Sequence, residues 1–160
     1  MKRAGVLLCT ACLTLGFHLI APPVAAAQTP KGDLFVGAAF FAEEGNLWTG
    51  FQLSGSVNPW RHVGFVGDLT LYGENEGQQT ILGGVRFYAP GSHATVFGQF
   101  LVGNAPLDDF AFQPGAGVDV HLNSRLAVRA AIDLKIAGDD GSTYLGTRFS
   151  TGLVVKLGRR

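Results

Sequence analysis

Cysteine stops early in this chain. Its two cysteines are Cys9 and Cys12, and none follows. A domain built from the later residues therefore has no disulfide staple, no thiolate nucleophile and no thiolate metal site. Helical periodicity is also missing. After residue 30 no stretch sets Leu, Ala and Glu at the three-and-four spacing of an amphipathic helix. Charge is sparse and balanced, with 12 Lys and Arg against 12 Asp and Glu. No basic patch or stripe offers a footprint for nucleic acid. Gly-x-Ser-x-Gly, a phosphate loop and zinc-ligand spacing are all absent. What remains is rich in glycine, and its order has to come from strands.

The first 27 residues read as a removable segment. Lys2 and Arg3 form a positive start, 6–20 is mostly apolar, and Ala25-Ala26-Ala27 offers a cleavage site before Gln28. This is the layout of a secretory signal peptide. The apolar run is short for a spanning helix and breaks at Pro22-Pro23. Thr10-Ala11-Cys12 has part of a lipoprotein processing site, but Cys9 stands where Leu is usual. The expected organisation is a signal peptide at 1–27, a short segment at 28–32 and one domain at 33–160. Without Lys2 and Arg3 the balance is ten Lys and Arg against twelve Asp and Glu, a net charge of −2.

That domain alternates with period two. In 126–136, Leu126, Val128, Ala130, Ile132, Leu134 and Ile136 fall on one face, and Arg129, Asp133 and Lys135 on the other. In 147–157, Phe149, Leu153, Val155 and Leu157 oppose Arg148 and Lys156. The same pattern places strands at 33–41, 47–57, 63–72, 79–88, 95–103 and 110–121, with turn-forming residues between them. Eight strands of roughly 9–11 residues suit a tilted crossing of a bilayer. An even number lets the last strand pair with the first, and closure leaves no edge exposed to lipid. The expected fold is all-β, an eight-stranded antiparallel up-and-down transmembrane β-barrel.

Charge then assigns inside and outside. Asp33, Asp68, Arg86, Asp119, Arg129, Asp133, Lys135, Arg148 and Lys156 are the charged residues of these strands, and all can face inward. A Lys or Arg facing lipid at the midplane costs ~2–4 kcal/mol. An eight-stranded lumen is just wide enough for side chains. The expectation is a filled, polar plug in which Arg86, Arg129, Lys135, Arg148 and Lys156 pair with Asp68, Asp119 and Asp133. Phe40, Trp48, Tyr72, Phe110 and Tyr144 lie near one end of the strands, and Trp60 and Tyr88 near the other, suggesting two interfacial belts. Pro114 interrupts strand six, so either a bulge is expected there or a strand that begins at about Gly115.

The run from Pro114 through Val118-Asp119-Val120-His121 to Arg129, followed by Arg148-Phe149-Ser150-Thr151-Gly152-Leu153-Val154-Val155-Lys156-Leu157, resembles the closing hairpins of the small outer-membrane β-barrel superfamily. That superfamily includes the OmpA transmembrane domain and OmpX-like proteins, and the resemblance covers about residues 32–157. Ser150, Gly152, Val155 and Leu157 match the spacing of the superfamily's assembly signal. The superfamily prefers aromatics at the last two positions and usually ends on one, whereas this chain continues with Gly158-Arg159-Arg160. The resemblance implies export to the bacterial outer membrane, contact with its lipid and lipopolysaccharide, and insertion by the barrel assembly machinery. It also implies that 58–62, 89–93 and 122–125 are periplasmic turns.

Chemistry has few candidates. The four outer loops carry Glu43-Glu44, Glu74 with Glu76, Asp108-Asp109 and Asp139-Asp140. Such carboxylates could hold hard cations, but no loop has EF-hand spacing, and simple solvation is the expectation. His62, His93 and His121 fall near the periplasmic end on separate turns, away from where a lipid-modifying Ser–His pair would be needed. No catalytic, cofactor or metal residue is assigned. The expected role is that of a non-catalytic structural or surface-interaction barrel, monomeric and without cofactor. The alternatives are a lipid-modifying barrel enzyme of the lipid A deacylase kind and a soluble periplasmic lipocalin-like carrier with apolar residues inside.

Overall fold

The computed structural model describes residues 29–43, 45–73, 79–104, 110–139 and 142–158. The proposed signal peptide lies outside them. The strands are β1 (Gly32–Glu43), β2 (Asn46–Val57), β3 (Val63–Gly73), β4 (Gln79–Pro90), β5 (Ala94–Asn104), β6 (Phe110–His121), β7 (Leu126–Asp139) and β8 (Ser142–Leu157). Each pairs antiparallel with the next, and β8 pairs with β1, so the barrel is closed. All eight expected strands are present. The last two run further toward the loop end than the alternation suggested.

Register fixes the shape. The path Gly32, Val57, Phe65, Val85, Phe100, Pro114, Leu134, Thr147, Ala42 goes once around and returns to β1 ten residues further along. With a rise of ~3.3 Å and a strand spacing of ~4.7 Å, that stagger implies a tilt of about 41° and a backbone radius of about 8 Å. So narrow a tube closes only if its inner side chains fit together.

Alternation decides which side chains those are. In β1, Asp33, Phe35, Ala39 and Phe41 are buried, while Leu34 and Val36 are exposed. Arg129 and Asp133 are 2% and 1% exposed, whereas Phe51 and Leu153 on the outer face are 50% and 49% exposed. A lipocalin-like carrier would need the opposite polarity, so that alternative is removed. The outside carries an apolar band, including contiguous aromatics: Phe100 stacks on Phe112 at 6.2 Å and meets Phe87 edge-on at 6.5 Å.

β6 corrects the expectation for Pro114. The pairs Phe112↔Ile136 and Gly115↔Asp133 share one register, so there is no bulge, and the strand starts at Phe110. Pairing with β7 skips only Gln113 and Pro114, while both still pair with β5. The missing bond is the one a Pro114 N–H would give to the Leu134 carbonyl. Phe110 and Phe112 face outward.

Candidate functional site in the barrel lumen

The lumen holds two polar layers joined by one glutamine. The layer nearer the loop end is centred on Arg148 of β8. Its Nε and Nη2 donate to Asp133 Oδ2 at 3.1 and 2.9 Å, and its Nη1 donates to Asp68 Oδ1 at 2.8 Å and Thr70 Oγ1 at 3.0 Å. Gln113, with its amide oxygen turned to Arg148, accepts from Nε at 2.8 Å and Nη2 at 2.9 Å. Gln52 Nε2 donates to the second oxygen of Asp68. Arg148, Asp68 and Asp133 are all buried. Their charges are tolerable there because each has opposite charge and hydrogen bonds on several sides.

The layer nearer the turns contains two guanidinium groups. Arg129 Nε and Nη2 donate to Asp119 Oδ1 and Oδ2 at 2.7 and 2.9 Å, and Nη2 also reaches Asp33 Oδ1 at 3.2 Å. Arg86 Nε and Nη2 donate to Gln99 Oε1 at 3.0 and 2.8 Å, and its Nη1 lies 3.7 Å from Asp33 Oδ1. Both guanidinium groups stand over the Phe97 ring, at 4.5 Å for Arg86 and 4.8 Å for Arg129. Asp33 Oδ2 accepts from Ser56 Oγ at 2.5 Å. Gln99 Nε2 donates to Asp133 Oδ1 at 2.6 Å and so links the layers.

Glycine makes room for this. A Cβ on Gly117 would lie 2.5 Å from Phe97 Cζ, and one on Gly115 would lie 2.7 Å from the Asp133 carboxyl carbon. Side chains at those two β6 positions would evict the groups that β5 and β7 send across the lumen.

Three expectations need correction. Asp33, not counted among the acceptors, pairs with both Arg86 and Arg129. Lys135 stands 4.8 Å over the Phe41 ring, and Lys156 lines the turn-end pocket; neither is in the five-pair network of Arg86, Arg129 and Arg148. The lumen is also not polar throughout. Val66, Leu82, Leu101, Ala111 and Ala137 form a buried apolar sector on its wall. They share strand parity with the polar lumen residues, and Leu82 and Leu101 sit directly across from Asp68 and Gln113, so apolar side chains pack beside the Arg148 layer.

The belt expectation fails for three aromatics. Trp48, Tyr72 and Tyr88 face the lumen, as their parity with Gln52, Asp68 and Arg86 requires. Phe41 stacks on Trp48 at 5.6 Å and meets Tyr72 at 5.8 Å, covering the loop side of the Arg148 layer. Trp60 and Phe110 are exposed. The side chain of Tyr144 lies outside the described residues.

At the turn end, Thr29, Pro30, Asp33, Tyr88, Thr95, Asp119, His121, Val154 and Lys156 line a small pocket. Its water-accessible volume of about 20 Å³ suits a single water molecule. His121 Nε2 lies 3.0 Å from Thr95 Oγ1, and its backbone N donates to His93 O at 2.8 Å. His93 Nδ1 lies 2.9 Å from Ser92 Oγ, and His62 Nδ1 lies 3.0 Å from Tyr88 O. The backbones of His93, in the β4–β5 turn, and His121, at the end of β6, are therefore adjacent, but the three rings serve separate partners. Of the acidic loop residues, Glu43 ends β1. Glu44, Glu74, Glu76, Asp108, Asp109 and Asp140 lie outside the described residues, as does the side chain of Asp139.

A closed eight-stranded antiparallel barrel with charge inside and apolar residues outside has the architecture of a small transmembrane β-barrel. Solved structures of that architecture match this chain. A de novo designed transmembrane β-barrel aligns with a TM-score of 0.60 and 11% identity over 82% of this chain and 100% of its own. Neisserial surface protein A aligns with 0.55 and 13% over 79% and 96%. Ail, the attachment invasion locus protein of Yersinia pestis, aligns with 0.52 and 15% over 79% and 99%. At these identities the likeness is one of fold. No protein-family model and no curated protein matches the sequence.

Proposed function

We propose that this chain is an exported protein of the bacterial outer membrane, a non-catalytic β-barrel with a structural or surface-interaction role. The observation that carries this reading is the polarity of the closed barrel. Apart from Glu43 and Asp139 at the loop-end tips of β1 and β7, the strands hold nine charged residues: seven are buried in the lumen, Lys135 and Lys156 lie on the same inward faces, and the outer face is apolar. Water would reject that exterior, and lipid accepts it. Residues 1–27 supply the export signal, and Ser150, Gly152, Val155 and Leu157 of β8 offer the assembly signal of the OmpA and OmpX-like superfamily. The turns 58–62, 89–93 and 122–125 then face the periplasm, and a monomer is sufficient because the barrel closes on itself.

Ail has been crystallised with a heparin analogue, sucrose octasulfate. The connections at the loop end of this chain carry eight acidic residues, so a sulfated polymer is a poor fit there. A surface partner at that end would be neutral, cationic or bridged by cations.

Fractionation of expressing cells and a gel run with and without boiling test the reading. Recovery in the outer membrane with a heat-dependent mobility shift is expected. Recovery as a soluble periplasmic protein would refute it. Leu153→Arg places a charge on the lipid face and is expected to lower folding stability in vesicles by ~2–4 kcal/mol. A soluble barrel would tolerate that exposed substitution.

A further inference from the structure

The charged residues outside the lumen are sorted by end. All eight acidic ones belong to the loop end, in or beside the β1–β2, β3–β4, β5–β6 and β7–β8 connections. At the turn end the exposed charges among the described residues are Lys31, Arg61 and Arg125. Backbone contacts tie these three into one arc. Thr29 Oγ1 donates to Arg61 O at 2.7 Å, and Asn58 N donates to Lys31 O at 2.8 Å. A Cβ on Gly158 would touch the Lys31 side chain at 3.2 Å, and Lys156 N donates to Arg125 O at 2.7 Å. The β2–β3 turn, the segment before β1, the end of β8 and the β6–β7 turn are thus consecutive along the rim.

The same rim is exposed and apolar between its charges. Val57, Trp60 and Leu122 are 67%, 58% and 59% exposed. Apolar exposure that continues into the turns places the bilayer interface at the turns themselves, and tryptophan belongs at that depth. Cations at that depth meet lipid phosphates, and long Lys and Arg side chains can reach them.

We propose that this arc is a binding surface for anionic phospholipid headgroups, with Lys31, Arg61 and Arg125 supplying the charge and Trp60 and Leu122 the apolar anchorage. The proposal rests on the membrane reading above. The acidic loop end repels the same lipids, so the barrel is selective for anionic lipid at one end only.

Trp60 supplies a local probe, because the chain's second tryptophan, Trp48, can be replaced as Trp48→Phe. The protein purified from membranes is reconstituted in phosphatidylcholine vesicles containing a small fraction of chain-brominated phosphatidylglycerol or chain-brominated phosphatidylcholine. Quenching of Trp60 reports the lipid beside the arc. Phosphatidylglycerol is expected to bind about tenfold more tightly at low salt, with the preference lost in concentrated NaCl. The triple variant Lys31→Gln, Arg61→Gln, Arg125→Gln is expected to abolish it. These side chains are exposed, and the bonds that shape their turns come from backbone groups and from Asn58 and Asn123, so the variant keeps its fold.

A heat-dependent gel shift on the same vesicles separates the two ideas. A folded band with equal quenching by both lipids overturns the lipid inference alone, as does a triple variant that keeps the preference. Equal quenching together with charge-dependent binding of soluble polyphosphate assigns the arc to a soluble polyanion and also overturns it. No folded band overturns the membrane reading and the inference with it.

Discussion

The two lumen layers are built from the same residue types but reach different degrees of completion. Arg148 has two aspartates, a threonine and a glutamine around it, and the aromatic cluster of Phe41, Trp48 and Tyr72 lies on its loop side. Arg86 and Arg129 share Asp33, share the Phe97 ring, and each leaves its Nη1 without a hydrogen bond among the described residues. A buried guanidinium can therefore be held by full hydrogen bonding or by an aromatic face with partial bonding. The first is rigid and costly to disturb. The second tolerates loss, because an arginine that lacks a full partner set leaves fewer partners stranded. The looser layer is the one beside the turn-end pocket, where water can complete it.

Removing one arginine from each layer tests that difference most directly. Arg148→Met strands Asp68 and Asp133 in the lumen and is expected to cost ~3–5 kcal/mol, read from the urea midpoint in vesicles. Arg86→Met leaves Asp33 still bonded to Arg129 and frees only Gln99, so about 1–2 kcal/mol is expected. Equal losses would mean that the layers are equivalent. Between these two falls Phe97→Leu. It keeps an apolar side chain but removes the ring from under two guanidinium groups, and about 2 kcal/mol is expected. The effect should also be coupled: in the Arg86→Met background Phe97→Leu loses one of its two cation contacts and should cost about half as much. Additive losses would show that Phe97 acts by volume alone.

Period-two alternation made the fold legible, because each strand states its faces without reference to any other. Parity placed Arg129, Asp133 and Lys135 together in β7, and it placed Trp48, Tyr72 and Tyr88 inward. The belt expectation went wrong there by weighing aromatic position along the strand above parity. What parity could not give is which inward residues meet across the barrel. Asp33 and Arg129 are 96 positions apart, and Arg148 and Asp68 are 80 apart. Their contact depends on the stagger of ten residues, and that stagger comes from all eight registers together. Phe97 shares parity with Gln99 and so reads as inward, but nothing local says that two arginines will share its face. The extra length of β7 and β8 was hidden for another reason. Ala137-Gly138-Asp139 has turn composition, and beyond the apolar band nothing compels alternation.

Pro114 offers the finest adjustment of the comparison, since it adjoins Gln113 in the tighter layer. Replacing it as Pro114→Ala supplies an N–H facing the Leu134 carbonyl, and a ladder bond adds roughly 0.5–1.5 kcal/mol. The freer unfolded chain takes back about 0.4–1 kcal/mol. The net change in stability should therefore lie between about −0.5 and +1.1 kcal/mol. Hydrogen exchange should nonetheless become slower at the Leu134 amide, which faces the residue-114 carbonyl, because the β6–β7 ladder would run without interruption. The register on either side of Pro114 is already continuous, so the barrel has no strain there to release. A stability change above ~1.5 kcal/mol would mean that proline does shape β6, and with it the placement of Gln113 against Arg148.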